Sequence, residues 1–404
     1  MDEKQIVAYL QMPQAIREQC NRLFSLACDH QLAYFGCDLS QLPQVADYVI
    51  SITKDNYGDG EIPFHSRWRH FEVGDVPRLQ KLQRQLLGFS PLEIAQAKFD
   101  LVITSVLLDA GAGASWCYRE RETGQVFSRS EGLAVASFHL FCQGFFSSNP
   151  KQPFQADAEA LQSLTREKLA QGFQVSETNP LVGLEGRVKL LQRLGEVMQK
   201  QPHIFGVKQP RLGNLVNYLL ADTSTLTASR VFQALLTSLG EIWSGRIILG
   251  GVNLGDVWRH RALETEIPYI PFHKLSQWLT YSLLEPLMEL GYQVTGLEEL
   301  TGLPEYRNGG LCLDLGLLQI KQPQILQQHH TVDSEVIVEW RALTVALLDQ
   351  IAATIRDKLE LSATELPLVK ILQGGTWMAG RRIASQRRVG GVSPLSVISD
   401  GTVF

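Results

Sequence analysis

The stretch Ser90-Pro91-Leu92-Glu93-Ile94-Ala95-Gln96-Ala97-Lys98-Phe99-Asp100-Leu101-Val102-Ile103-Thr104-Ser105-Val106-Leu107-Leu108-Asp109-Ala110-Gly111-Ala112-Gly113 admits two readings that lead to different folds. From Phe99 onward it looks like a strand entering a glycine-rich dinucleotide loop, the opening of a doubly wound sheet. From Ser90 onward it is a helix. Ser90 and Glu93 stand at capping-box spacing, and Pro91 takes the first helical position, where a missing N–H costs nothing. The third glycine of G-x-G-x-x-G is absent, because Trp116 stands there. Cys117-Tyr118-Arg119-Glu120-Arg121-Glu122 follows instead of an apolar helix. The reading is therefore a helix to about Leu108, stopping before Gly111.

The same periodicity recurs along the chain. Ile16, Leu23, Phe24 and Ala27 mark a helix over 12–29, and Leu42, Val45, Val49 and Ile52 one over 41–54. Further helices are expected from Ser130-Glu131 to Cys142, over 183–200 and 227–239, from Lys274 to Leu290, and from Glu335 to Lys358, the longest. Strand signals are confined to Arg246–Leu249, Leu311–Leu313 and Ser396–Ser399. The expected fold is mainly α with minor β. At 404 residues it is one large domain or two lobes, with the polar, proline-bearing stretch 147–179 as the connecting candidate.

Composition excludes several classes. The hydrophobic share of 45% and charged share of 20% are those of a soluble globular protein. A net charge of −5 argues against a dedicated nucleic-acid binder. Leu101–Leu108, the longest apolar run, is too short to span a bilayer. The start of the chain lacks signal-peptide character, and the six cysteines form no CxxC pair. The expectation is a cytoplasmic protein with reduced thiols, no membrane partner and an undetermined oligomeric state.

Unusual residues gather in turn-rich blocks: 62–71, 109–113, 250–256, 271–274 and 302–310. Each mixes Gly or Pro with charged, amide or imidazole groups, as in a polar pocket built from many segments. In an extended chain His65, Arg67 and Arg69 share one side, an arrangement suited to a phosphate or carboxylate; the alternative is arginines paired with structural acids. Asp109 ends a buried helix, where the dipole disfavours a carboxylate unless a cation pairs with it. Asn253 and Asp256 lie in Gly250–Asp256, which lacks the Lys-Ser/Thr of a P-loop. Lys274, Gln277 and Tyr281 fall at helical spacing and suggest a pocket wall. Glu305, Arg307 and Asn308 add a further polar block, and Gly374-Gly375-Thr376-Trp377 another. Glu335 and Glu339 repel at i, i+4, so a buried Glu339 needs a cation. No metal-ligand spacing, Ser-His-Asp order or nucleophile elbow is present, and no cofactor is called for.

These blocks carry a resemblance. "IPFHSRWRHF", "FDLVITSVLLDAGAG", "SEGLAVASF", "GFQVSETNPLVGLEGR", "LGGVNLGDVWRH", "PFHKLSQWLTYSLLEPL", "LTGLPEYRNGG", "VDSEVIVEWRALTVALLD" and the terminal "SDGTVF" resemble the uracil catabolism protein four family, the uracil-regulated proteins of fungi. That resemblance implies a uracil-degrading route, alongside a cyclohydrolase-like protein and a uracil phosphoribosyltransferase, through a ribosylurea-type intermediate. "VEWRALTV" and "HKLSQWL" are also similar to blocks of queuosine-salvage nucleotide glycosylases, which implies a DNA-glycosylase-like helical fold. Phe272 stands where those proteins carry a catalytic aspartate, so that residue does not transfer.

The resulting expectation is a hydrolase of pyrimidine catabolism that cleaves the N-glycosidic bond of a ring-opened uracil nucleotide or nucleoside, such as (phospho)ribosylurea. Asp109 or Asp256 is the catalytic candidate. Arg67, Arg69 and Lys274 would hold phosphate, Gln277 and Asn308 would read the urea, and His65, Asn253, Glu305 and Arg307 would complete the binding set. An amidohydrolase acting on a uracil-derived ring or ureido group, and a non-catalytic ligand-binding partner of the cyclohydrolase-like protein, are the alternatives.

Overall fold

The computed structural model describes residues 1–113, 115–221, 225–243, 246–263 and 267–398. Helix takes 59% of the chain, and every strand among the described residues is two or three residues long, so the fold is mainly α with minor β. The stretch that separated the two readings is the helix Pro91–Leu107. Ser90 Oγ accepts the Glu93 N–H, and Glu93 Oε2 accepts the Ser90 N–H at 2.8 Å. Its residues 99–108 are buried on every face, which is why the sequence there loses its periodicity.

The chain divides into two compact units. The first comprises Met1–His65, Arg246–Gln277 and Gly296–Ile398. Its axis is the helix Glu335–Leu359, with Pro13–Cys28 and Leu42–Tyr57 packed along it. The helices Tyr306–Asp314 and Trp377–Arg387 pack against each other so closely that a Cβ on Gly380 would collide with the Arg307 carbonyl oxygen. A Cβ on Gly309 would press on the Trp340 indole at 2.7 Å. Two-stranded pairings edge this unit: Phe35–Cys37 with Leu318–Ile320, Val257–Arg259 with Tyr269–Pro271, Ile248–Leu249 with Val252–Asn253, and the parallel pair His329–Thr331 with Ser396–Ile398. Ser399 and the terminal motif lie outside the described residues.

The second unit includes Ser66–Gly245 and Trp278–Thr295. Pro91–Leu107 packs on Arg129–Cys142, and Leu184–Lys200 packs on Ala158–Gln162. The stretch 147–179 does not divide the units. It lies wholly in the second, carries the helices Ala158–Gln162 and Arg166–Gly172, and buries Leu161, Leu169 and Phe173.

Two local expectations are corrected. Leu311–Leu313 is not a strand but the end of the helix Tyr306–Asp314. Its two interior glycines hid the helix from sequence; they are there because Trp340 and Pro394 approach the backbone. His65–His70 is not extended either: Arg67–Phe71 is a helical turn, so Arg67 and Arg69 point different ways.

Candidate functional site

In the second unit Arg67 is fully buried, and each of its nitrogens is spent on the protein. Nε donates to Ser105 Oγ at 2.8 Å, Nη2 to the Ser105 carbonyl at 3.2 Å, and Nη1 to Asp109 Oδ1 at 2.5 Å. The Trp278 ring lies 5.4 Å from the guanidinium carbon. Asp109 also accepts from Ser130 Oγ, at 2.6 and 2.8 Å. The cation that the helix end required is therefore Arg67. A second buried arginine, Arg187, latches the loop beyond: it donates to the carbonyls of Leu108 at 2.9 Å, Gly111 at 3.2 Å and Val182. Arg69 pairs with Glu285 at 2.7 Å. The two arginines thus pair with separate acids instead of converging on one anion.

In the first unit Asp256 is the most heavily engaged carboxylate. Arg341 grips it bidentately, Nη1 to Oδ1 at 2.8 Å and Nη2 to Oδ2 at 2.7 Å. Trp258 Nε1–H donates to Oδ1 at 2.7 Å and the Lys274 backbone N–H to Oδ2 at 3.0 Å, fixing the start of the helix Lys274–Glu289. Burial alone would raise its pKa; Arg341 and the other donors outweigh burial and hold it well below the usual carboxylate range. The Asp256 carbonyl also accepts the N–H groups of Phe272 and His273, a close fold-back for which His273 adopts φ +45°. Asn253 Oδ1 accepts the Gly255 N–H at 3.0 Å, a local turn contact. Gln277 is fully buried, and both ends of its amide are bonded. Oε1 accepts the Thr301 N–H at 2.9 Å, and Nε2 donates to Thr301 Oγ1 at 2.8 Å and the Phe272 carbonyl at 3.2 Å. It braces Thr301.

Glu305 stands differently. It caps the helix Tyr306–Asp314, accepting the N–H groups of Arg307 at 2.7 Å and Asn308 at 2.6 Å. Burial pushes its pKa up, against the pull of those two N–H groups and of Lys274 and Arg307. Lys274 also acts on His65, whose pKa is brought down to about 4, chiefly by burial. His65 is thus neutral at pH 7. Gln373 turns its Nε2 to Tyr57 Oη and its Oε1 to His65 Nδ1 at 3.0 Å, so Nδ1 carries the proton and Nε2 is the basic atom. Arg307 donates Nη1 to the Gly391 carbonyl at 2.8 Å, with its guanidinium carbon 4.8 Å from the Tyr306 ring centroid. Asn308 donates Nδ2 to the Leu303 carbonyl at 3.1 Å, while its buried Oδ1 has no hydrogen-bond partner among the described residues.

Lys274 acts on both His65 and Glu305, and Glu305 caps the helix start that carries Arg307 and Asn308; all five belong to the first unit. A carboxyl whose pKa burial raises and a buried neutral imidazole, both influenced by one lysine, are elements of acid–base work. Glu339 is buried as expected, 3.3 Å from His260 Nε2, and also accepts the Tyr34 N–H. Among the described residues no group of three or more His, Cys, Asp or Glu is placed to hold a metal, and no helix is long and apolar enough to cross a membrane.

Sequence reasoning missed Arg341, Arg187, Glu285 and Gln373. Only Arg341 left a signal: an arginine within a buried helical face requires a partner carboxylate.

Comparison with known proteins places the chain. The family described as "Protein of unknown function (DUF1688)" matches residues 9–404. The chain belongs to the DUF1688 family. Protein urg3 of Schizosaccharomyces pombe is 43% identical over 406 residues, covering 98% of this chain and 99% of the relative. Uracil catabolism protein 4 of Lachancea kluyveri is 39% identical over 440 residues, with 98% and 99% covered. These DUF1688 relatives agree with the resemblance read from the sequence blocks.

Proposed function

We propose that this chain acts in uracil catabolism and hydrolyses the N-glycosidic bond of a ring-opened uracil nucleotide or nucleoside, such as ribosylurea or its phosphate. The name of the Lachancea relative supports the pathway. The observation that carries the chemistry is Glu305, a buried carboxyl whose pKa burial raises against the pull of Lys274. Cleavage of a glycosidic C–N bond leaves positive charge on the sugar, which an adjacent carboxylate stabilises. In this reading Glu305 takes a proton from the attacking water, the water oxygen bonds to the anomeric carbon as the glycosidic C–N bond breaks, and Glu305 passes that proton to the departing ureido nitrogen. Lys274 faces the phosphate or the developing negative charge, and Asn308 Oδ1 accepts a ureido N–H.

Asp256 and Asp109 take positioning roles, because arginines already hold both. Arg67, fully buried, supports Asp109 instead of binding phosphate. The test is incubation of pure protein with ribosylurea, its 5-phosphate and uridine nucleotides, with products identified by mass spectrometry. Release of urea and the ribose product supports the reading. Conversion of a ring-closed nucleotide with ribosylurea left intact replaces it with ring opening. Binding without turnover replaces it with a ligand-binding role.

A further inference from the structure

The turn Leu372–Thr376 is a π-helical turn: the Trp377 N–H bonds back to the Leu372 carbonyl, five residues earlier. Such turns interrupt α-helices mostly at functional places. This one carries three residues of interest. Gln373 fixes the His65 ring. The Trp377 ring lies 6.1 Å from that of His65. Thr376 is fully buried, and its Oγ1 has no hydrogen-bond partner among the described residues.

That last feature departs from the habit of this protein. Helical Thr53, Thr104, Thr344 and Thr354 each donate to the carbonyl four residues back. Thr376 makes no such bond. A buried hydroxyl without a partner costs stability, so its retention calls for a reason. The second orphan in the neighbourhood is Asn308 Oδ1. Its carboxamide cannot simply be turned around, because the Leu303 carbonyl needs the N–H donor. Gly380, one turn after Thr376, presses on the Arg307 backbone beside Asn308. The π-turn Leu372–Thr376 itself contacts the helix Tyr306–Asp314, so the two orphans lie on elements that meet.

We infer that Thr376 Oγ1 and Asn308 Oδ1 together select the ureido group of the ligand. The carboxamide oxygen accepts a ureido N–H, and the hydroxyl donates to the ureido carbonyl or accepts its second N–H. The inference rests on the proposed substrate class. It adds a specificity-determining residue, Thr376, and assigns the π-turn a task.

The test is equilibrium affinity, measured by titration calorimetry for ribosylurea 5-phosphate and for ribose 5-phosphate, which lacks the ureido group. Wild type is expected to bind the ureido ligand more tightly. Thr376→Val should weaken that ligand about 3- to 10-fold, the value of one net hydrogen bond, and leave ribose 5-phosphate unchanged. Thr376→Ser should restore most of the loss. The melting temperature of unliganded Thr376→Val should stay level or rise, since an unsatisfied hydroxyl is removed; a structural role would lower it. Equal weakening of both ligands, no weakening of either, or a wild type that does not discriminate between them overturns the inference. Because the readout is binding, a protein that binds ribosylurea without cleaving it defeats hydrolysis and leaves this result standing.

Discussion

Asp256 and Arg341 meet through both carboxylate oxygens and both terminal guanidinium nitrogens, at 2.8 and 2.7 Å, and both side chains are buried. The folded-state pKa of Asp256 lies well below its ordinary 3.8, so the unfolded chain takes up that proton more readily. The pair therefore stabilises fully above about pH 4, and that contribution is lost as pH falls below it. Arg341→Ala should cost about 3–5 kcal/mol at pH 7, because it strands a buried charge. Urea melts of wild type and variant should draw closer together below pH 4; a constant gap would disprove the assignment.

His65 gives a second, separate pH signature. Its pKa falls from 6.5 to about 4 in the folded state. Above pH 6.5 neither state holds the proton. Between pH 6.5 and about 4 the unfolded chain takes a proton that the folded chain refuses, and stability drops by roughly 3 kcal/mol. Melting temperatures of His65→Gln, followed from pH 7.5 to 4, should lack that part of the slope.

Arg67→Ala should act as a stability mutation. It leaves Asp109 without its cation and should cost about 3–5 kcal/mol in a denaturant melt. A variant of wild-type stability with only a raised KM for the phosphorylated ligand would return Arg67 to the anion-binding role that its sequence block suggested.

Glu305→Gln keeps an acceptor for the helix cap and removes the charge. On the proposed chemistry kcat should fall at least about 100-fold, with the fold intact by circular dichroism. Full activity in this variant would rule out Glu305 as the base.

Gly380→Ala should destabilise by about 1–3 kcal/mol, although alanine is ordinarily the better helix former. The added methyl would collide with the Arg307 carbonyl. A neutral midpoint in guanidinium would show that the two helices can separate without loss.

What the sequence made legible was local. Ser90 and Glu93 announce a helix because a capping box needs only four consecutive residues, and Trp116 removes the dinucleotide alternative in the same way. The need of Asp109 for a cation follows from the helix dipole, but the identity of that cation does not, since Arg67 lies 42 residues away. Glu285 is likewise invisible from Arg69. The polar blocks did mark the Lys274 and Glu305 segments. They did not show that the Gln277 amide bonds to Thr301 and the Phe272 carbonyl, or that Gly309-Gly310 lies within a helix against the Trp340 indole. The orphan oxygens of Asn308 and Thr376 have no sequence signature, because lacking a partner is a property of three-dimensional neighbours.

The three carbonyls held by Arg187 bear on the order in which the chain assembles. They belong to the end of one helix, the glycine loop after it and residue 182, so a guanidinium 76 to 79 positions downstream of the first two must arrive before the loop bearing Asp109 can set. Contacts of such separation form late, after the loop-closure entropy between them has been overcome. In pulsed hydrogen exchange during refolding, amides 109–113 should gain protection together with the helix Leu184–Lys200, and later than the capped start of Pro91–Leu107. On this account the nascent chain cannot complete the Asp109 corner until it has been synthesised well past residue 187.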